Sequence, residues 1–299
     1  MIHTHDTRKI FAALLGLVLC ALLPGCKAPT AEPALKPEPE PEQETIAPMQ
    51  VSLLKVGKAD VIVLQTGEEI LVIDTGEEED GEELVTFLTN LGLDHIDTLI
   101  ITHFDRDHVG GADTVVEQLK IGQVILPAYQ GSSTEYLDFL SAMDDQAIVP
   151  QKLTEPLELS FGSASVLIEP PLSYETPDNV IETDNNFSLI TTVVHGENRF
   201  VFMGDAEKQR IRQWLDGGTA APCDFLKVPH HGVYNSALRD LVAATTPEFA
   251  VICSSDKHPA DTQTLELFKG QNAQVLETRH GDITVISNGT GIEIHQKSE

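Results

Sequence analysis

Ile101-Thr102-His103-Phe104-Asp105-Arg106-Asp107-His108-Val109-Gly110-Gly111 is the stretch on which the reading of this chain turns. It follows the apolar run Thr98-Leu99-Ile100-Ile101, short enough for a buried strand. Four side chains able to ligate a metal, His103, Asp105, Asp107 and His108, stand within six positions just past that strand. A loop leaving the strand end can turn all four to one side. Val109-Gly110-Gly111 then opens a helical pattern through Lys120, and the two glycines predict a close backbone approach to whatever the four side chains hold. The alternative is a polar turn with solvated charges. The rest of the chain fits the metal better.

Working outward, apolar strands repeatedly end on polar residues. Strands are expected over 51–56, 60–64 and 70–73, the last closing on Asp74. The acidic run Glu77 to Glu83 reads as a solvated loop into a helix over 82–91. Beyond the four-ligand loop come a strand over 123–126, a helix over 134–143 and a strand pair over 157–161 and 164–168. A polar loop with Asp184-Asn185-Asn186 precedes a strand over 187–194. Phe200-Val201-Phe202-Met203 ends at Gly204-Asp205, and Phe225-Leu226-Lys227-Val228 ends at Pro229-His230-His231-Gly232. Helices over 207–215, 237–244 and 261–269 and strands over 249–253, 275–277, 283–286 and 292–294 complete the chain. In two sheets flanked by helices, such strand ends can line up along one edge, which is where a metal site is built.

His103-x-Asp105-x-Asp107-His108, Asp74 after a strand, Gly204-Asp205 and His230-His231-Gly232 resemble the metallo-β-lactamase superfamily. Within it the chain is most similar to the hydrolase domain of ComEC-type DNA-uptake proteins. Val56-Gly57-Lys58-Ala59-Asp60, Asp184-Asn185-Asn186-Phe187-Ser188-Leu189, His258-Pro259 and Thr278 to Gly281 match motifs of that subgroup in order. The resemblance implies an α/β class, an αββα sandwich of two mixed sheets flanked by helices. It also implies a hydrolase using one or two divalent ions, Zn²⁺ or Mn²⁺, and acting on a phosphodiester or related ester.

The resemblance assigns roles residue by residue. Asp107, His108 and His231 would hold one ion with Asp205 bridging, and His103 and Asp105 would hold the other. Asp107 would also orient the nucleophile. Asp74 would accept a hydrogen bond from a ligand histidine, or simply cap a turn. His231 is preferred over His230 as ligand because it directly precedes Gly232. His230 would bind substrate or pack. His258 would protonate a leaving group or contact a phosphate, unless it is a surface histidine before Pro259. Asn186 and Ser188 would line the pocket. Two departures matter. The superfamily commonly places a further His where this chain has Asp184, Asn185 and Asn186, so one metal position is short of a ligand. Asp105 in place of His hardens the ligand set toward Mn²⁺.

The start of the chain has its own chemistry. Arg8 and Lys9 precede the apolar Ile10 to Leu23, and Leu23-Pro24-Gly25-Cys26 resembles a bacterial lipoprotein signal. The expected division is a signal over 1–25, a Pro/Glu-rich linker over 26–48 and a hydrolase domain over 49–299. Cys26 would carry the lipid, and the protein would be exported and anchored to the cell envelope on its periplasmic or extracellular face. The formal net charge of −28 disfavours an easy grip on long nucleic acid, although a metal can recruit a phosphodiester locally. Cys223 precedes its strand and Cys253 ends its own, so parallel strands would hold the two thiols apart as buried free cysteines. Two other functions remain open: a catalytically weak metal-binding or assembly module, and a lactone or β-lactam hydrolase.

Overall fold

The computed structural model describes residues 46–175 and 184–297. The signal over 1–25, Cys26 and the linker up to residue 45 lie outside them. Among the described residues no helix is long and apolar enough to cross a membrane.

Runs of Val, Ile, Leu and Phe produce fifteen strands among the described residues. The first sheet is built from β1 (Met49–Leu53), β2 (Val61–Thr66), β3 (Glu69–Thr75), β4 (His95–Ile100), β5 (Lys120–Pro127) and β6 (Gln151–Leu153). The second takes β7 (Leu157–Phe161), β8 (Ala164–Glu169), β9 (Ile190–His195), β10 (Asn198–Phe202), β11 (Phe225–Lys227), β12 (Phe249–Ile252) and β13 (Gln274–Glu277). The chain then returns to the first sheet with β14 (Ile283–Ser287) and β15 (Ile292–Gln296). Spatial order is β15-β14-β1-β2-β3-β4-β5-β6 in one and β13-β12-β11-β10-β9-β8-β7 in the other.

Strands β3 to β6 run parallel, as do β10 to β13, and both sheets are antiparallel elsewhere. Parallel strands are stable only when both faces are covered. That explains the unbroken apolar run at Ile70-Leu71-Val72-Ile73 of β3; β2 is antiparallel to both neighbours, but it too is covered on both faces and carries Val61-Ile62-Val63-Leu64. Ile62 and Leu64 point into the core shared with Phe200 and Phe225 of the other sheet and with Val285 of β14. Val61 and Val63 point outward to Leu84, Leu88 and Phe139, carried by helices α1 (Asp80–Asn90) and α4 (Thr134–Asp145). Two short helices, α2 (Arg106–Val109) and α3 (Ala112–Gln118), add Val109 and Val115 to that layer. The second sheet is covered by α5 (Lys208–Asp216), α6 (Leu238–Thr245) and α7 (Thr262–Lys269) through Trp214, Leu241 and Phe268. The result is the expected αββα sandwich of mixed sheets. Cys223 and Cys253 are both buried and free.

Three local expectations are corrected. The helical pattern from Val109 to Lys120 is two helices, and Lys120 opens β5 opposite His95. The break falls at Gly110-Gly111, and the reason is not a close approach to the ligands. A Cβ on Gly110 would lie 2.7 Å from Glu77 Cα, and one on Gly111 would lie 2.5 Å from the Gly81 nitrogen. The glycines let the ligand loop pack backbone to backbone on the acidic stretch that leads into and opens α1. Next, Asn185–Phe187 is a 3₁₀ turn and its strand begins only at Ile190. Finally, the acidic run is not all solvated loop.

Within that run Asp80 is buried, and its Oδ2 accepts the Glu77 N–H at 2.7 Å. Burial raises its pKa to about 7; the Glu77 bond opposes this, while Glu83, Glu79 and Glu77 add to it. With the unfolded group near 3.8, the folded state holds the extra proton. The stability this contributes is greatest below the unfolded value and is lost as pH rises toward 7. Asn at this position can accept the same N–H without titrating. Asp80→Asn is therefore expected to gain about 1–2 kcal/mol relative to wild type between pH 5 and pH 8.5. That is less than the shift itself implies, because the carboxyl stands at a cavity open to solvent. Urea unfolding at the two pH values checks this, and a gain independent of pH would contradict it.

Candidate metal centre

The C-terminal ends of β3 and β4 meet those of β10 and β11 at one rim of the sandwich. Asp74 closes β3 with φ of 61°, a left-handed value that costs energy outside glycine. Its side chain holds it there. Oδ1 accepts the Thr102 N–H and Oδ2 the Thr102 hydroxyl, each at 2.7 Å, and Oδ2 lies 2.7 Å from His108 Nδ1. Asp74 thus sits behind His108.

These bonds fix the histidine tautomers. A carboxylate only accepts, so His108 donates through Nδ1 and its Nε2 lone pair is left facing the rim. Thr102, having donated to Asp74, accepts from His103 Nδ1 at 3.0 Å, which leaves His103 Nε2 free as well. His231 Nδ1 is 3.2 Å from the Cys253 carbonyl, which again only accepts. All three Nε2 atoms are buried without a hydrogen-bond partner. Buried polar atoms rarely go unpaired, and three imidazoles aligned by acceptors on their far sides are how proteins present nitrogen to a metal.

Carboxylates complete the set. His108 Nε2 is 3.2 Å from Asp205 Oδ1, and His231 Nε2 is 3.0 Å from Asp205 Oδ2 and 3.1 Å from Asp107 Oδ2. Ligand atoms of Asp107, His108, Asp205 and His231 all fall within 4.8 Å of one another. That spacing suits donors sharing one ion at about 2.0–2.2 Å each. The residues therefore fit a divalent metal. His103 stands beside this group, its ring centroid 4.1 Å from that of His108, and its Nε2 is 3.6 Å from Asp105 Oδ2. Asp105 is half-buried, the least buried member of the set.

The charges respond accordingly. Burial would raise Asp107, but the closeness of His231 and the charges of His108 and His231 outweigh it and hold the carboxyl well below its usual range. Asp205 is lowered the same way, with Lys227 adding to His231 and His108. His231 is driven to about 9 against the effect of burial, chiefly by Asp205. Metal uptake displaces such protons.

The remaining expected residues are placed as follows. Ser188 is fully buried, and its Oγ accepts the Asp205 N–H at 3.2 Å, so it positions that carboxylate. Asn186 turns to α5, where Oδ1 accepts the Arg210 N–H at 3.0 Å. Its neighbour Asn185 is the one at the rim, with Nδ2 3.5 Å from His230 Nε2 and 3.3 Å from Glu207 Oε1. His230 itself lies 3.4 Å from Glu207 Oε1 through Nδ1. His230 and His231 both have positive φ, 48° and 51°, which lets adjacent side chains diverge, one to Glu207 and one to the metal group. His258 is exposed and lines a cavity next to Lys58.

Three residues were not anticipated. Lys58 Nζ is 2.6 Å from Asp107 Oδ2. Lys227 is fully buried, donates to the Gly204 carbonyl at 3.0 Å, stands 3.5 Å from Asp205 Oδ1 and pairs closely with Asp60. A lysine inside Phe225-Leu226-Lys227-Val228 was the signal for this, since a charge in a buried strand requires a partner.

Residues 54–255 match the family model of the metallo-beta-lactamase superfamily. The chain belongs to that superfamily. Among curated proteins it is similar to ComE operon protein 3 of Bacillus subtilis, 26% identical over 198 residues, covering 65% of this chain and 25% of that protein. It is also similar to Recombination protein 2 of Haemophilus influenzae, 28% identical over 249 residues, covering 80% of this chain and 27% of that protein. Both are of the ComEC type that the motifs implied, and the chain spans about a quarter of the length of either. Solved structures agree on the fold. A mutant of the CmlA beta-hydroxylase superposes with a TM-score of 0.54 at 16% identity, over 83% of this chain and 54% of that one. The metallo-beta-lactamase fold protein YhfI from Bacillus subtilis gives 0.53 at 10% identity, over 83% and 100%.

Proposed function

We propose that this protein is a metal-dependent hydrolase that cleaves a phosphodiester or related ester outside the cytoplasmic membrane, tethered through Cys26. The observation that carries the reading is the trio of buried Nε2 atoms, each turned to the rim by an acceptor on the other side of its ring, with those of His108 and His231 gathered at Asp107 and Asp205 and that of His103 beside Asp105. Asp107, His108, Asp205 and His231 would hold one divalent ion, Zn²⁺ or Mn²⁺, and His103 with Asp105 a second. A divalent ion supplies two things here, a lowered pKa for water and polarisation of a phosphoryl oxygen.

The chain's own side chains do the rest. Asp107 Oδ2 accepts from the nucleophilic water and orients it. Lys58, half-exposed beside Asp107, offers positive charge to a phosphate oxygen. His258, on the wall of the adjoining cavity, donates a proton to the leaving oxygen. A phosphodiester is favoured over a β-lactam because cationic groups border the centre and because the curated relatives are of ComEC type.

The test is hydrolysis of bis(p-nitrophenyl) phosphate by the full chain loaded with Mn²⁺ or Zn²⁺, beside Asp107→Ala. Turnover is expected, with kcat falling about 10²- to 10⁴-fold in the variant. Metal binding without turnover of this ester would leave a binding module instead. Faster turnover of nitrocefin would move the assignment to β-lactams.

A further inference from the structure

Asn185 shares the condition of the three imidazoles. It is 6% exposed, and its Oδ1 is buried without a hydrogen-bond partner, as are the Nε2 atoms of His103, His108 and His231. The other end of the amide fixes which atom is the oxygen. The nitrogen stands 3.3 Å from Glu207 Oε1 and 3.5 Å from His230 Nε2, and a carboxylate only accepts, so the NH₂ belongs on that side. Glu207 and His230 are both partly exposed. The nitrogen therefore faces outward and the oxygen lies on the covered side. A buried acceptor left unpaired costs about 1–3 kcal/mol, a cost that a bound cation removes.

The turn carrying Asn185 is tied to the metal group at several points. Beyond the 3₁₀ turn Asn185–Phe187, Ser188 Oγ accepts the Asp205 N–H at 3.2 Å. Next, the Leu189 N–H donates at 3.0 Å to the carbonyl of Thr102, the residue before His103. On the other side the His230 N–H donates to the Gly204 carbonyl at 3.3 Å, and the His230 ring stands within electrostatic reach of Asp205 and His103. Asn185 is thus enclosed by the segments that carry His103, Asp205 and His231. Asp184, the preceding oxygen donor, is engaged by the Tyr129 hydroxyl. A substrate group cannot reach an oxygen sealed in this way. An ion held among nitrogens sealed alike can.

Resting on the hydrolase reading and its second metal position, we infer that Asn185 Oδ1 is a ligand of the ion held by His103 and Asp105. That ion then has one imidazole and two oxygens from these residues, against two imidazoles and two carboxylates in the group of Asp107, His108, Asp205 and His231. Carbonyl and carboxylate oxygens suit Mn²⁺ better than imidazole does, which makes Mn²⁺ the probe for this position.

The experiment titrates MnCl₂ into the full chain. Calorimetry gives the affinities, and electron paramagnetic resonance distinguishes two neighbouring, spin-coupled Mn²⁺ ions from a single one. Wild type is expected to bind two ions and to show the coupled signal. Asn185→Leu keeps the size and removes the oxygen. It should bind the first ion within about threefold of wild type and the second about a hundredfold more weakly, with the coupled signal lost. Retention of the first ion shows that the variant is folded. Asn185→Asp separates a ligand from a structural amide. A charged oxygen in the same place should bind the second ion at least as tightly as wild type. A role confined to the Glu207 contact predicts the opposite, because two carboxylates would then face each other. Second-ion binding that is weakened equally in both variants, or unchanged in Asn185→Leu, overturns the inference. A wild-type chain that takes one ion only overturns it too. Hydrolysis of bis(p-nitrophenyl) phosphate is followed on the same samples. Turnover with a single ion keeps the hydrolase reading and removes the ligand assignment. Two ions governed by Asn185 without turnover keep the assignment and remove the hydrolase reading.

Discussion

Asp205→Ala is expected to lower the affinity of the full chain for Zn²⁺ or Mn²⁺ by well over a hundredfold and to take ester turnover to background. Among the described residues Asp205 is the one carboxylate in contact with both His108 Nε2 and His231 Nε2, at 3.2 and 3.0 Å, so its loss opens the ligand set in the middle. Losing a group that merely orients a ligand typically costs 10- to 100-fold in affinity, and a direct ligand should exceed that. Ser188→Ala supplies the internal scale. It removes only the acceptor of the Asp205 N–H, and its loss should fall within that smaller range. Competition against a chelating dye gives both affinities. An Asp205→Ala protein that binds either ion within about threefold of wild type would remove the centre proposed here, whatever its activity.

What the sequence could show follows from what periodicity and spacing encode. Apolar runs revealed the strands, and polar residues at their ends revealed the rim, because parallel strands bring C-terminal ends together. Asp74 and the loop from His103 to His108 were legible for that reason. Asn185 and Asn186 could not be told apart, because a 3₁₀ turn sends adjacent side chains to different neighbours, here His230 and Arg210. The split of the helix at Gly110-Gly111 was hidden too. Its cause is the backbone of Glu77 and Gly81, brought in by the fold from another segment. Lys227 could be seen as anomalous within its strand, but its partner could not be named. Asp60 is supplied by the opposite sheet, and no local pattern reports a contact of that kind.

That contact yields the second large effect, Lys227→Met. Lys227 belongs to β11 of one sheet and Asp60 stands at the start of β2 of the other, and both are at most 1% exposed. Burial alone would lower the lysine, yet Asp60 and then Asp205 raise it, so the pairing outweighs desolvation. Methionine fills similar space and leaves the Asp60 carboxylate buried without its cation. Breaking one side of a buried pair costs about 3–5 kcal/mol, and that is the loss expected in urea unfolding of the metal-free protein. Adding Asp60→Asn removes the stranded charge and should restore at least half of it, which identifies the pair and not the methionine as the source. The pair and the metal ligands share a layout, since Asp107 and His108 come from the first sheet and Asp205 and His231 from the second. Lys227 therefore holds the two halves of the centre together before any ion arrives. On that basis the double variant, although refolded, should still bind metal more weakly than wild type. A Lys227→Met protein within about 1 kcal/mol of wild type would show that apolar packing alone sets the register of the two sheets at this rim.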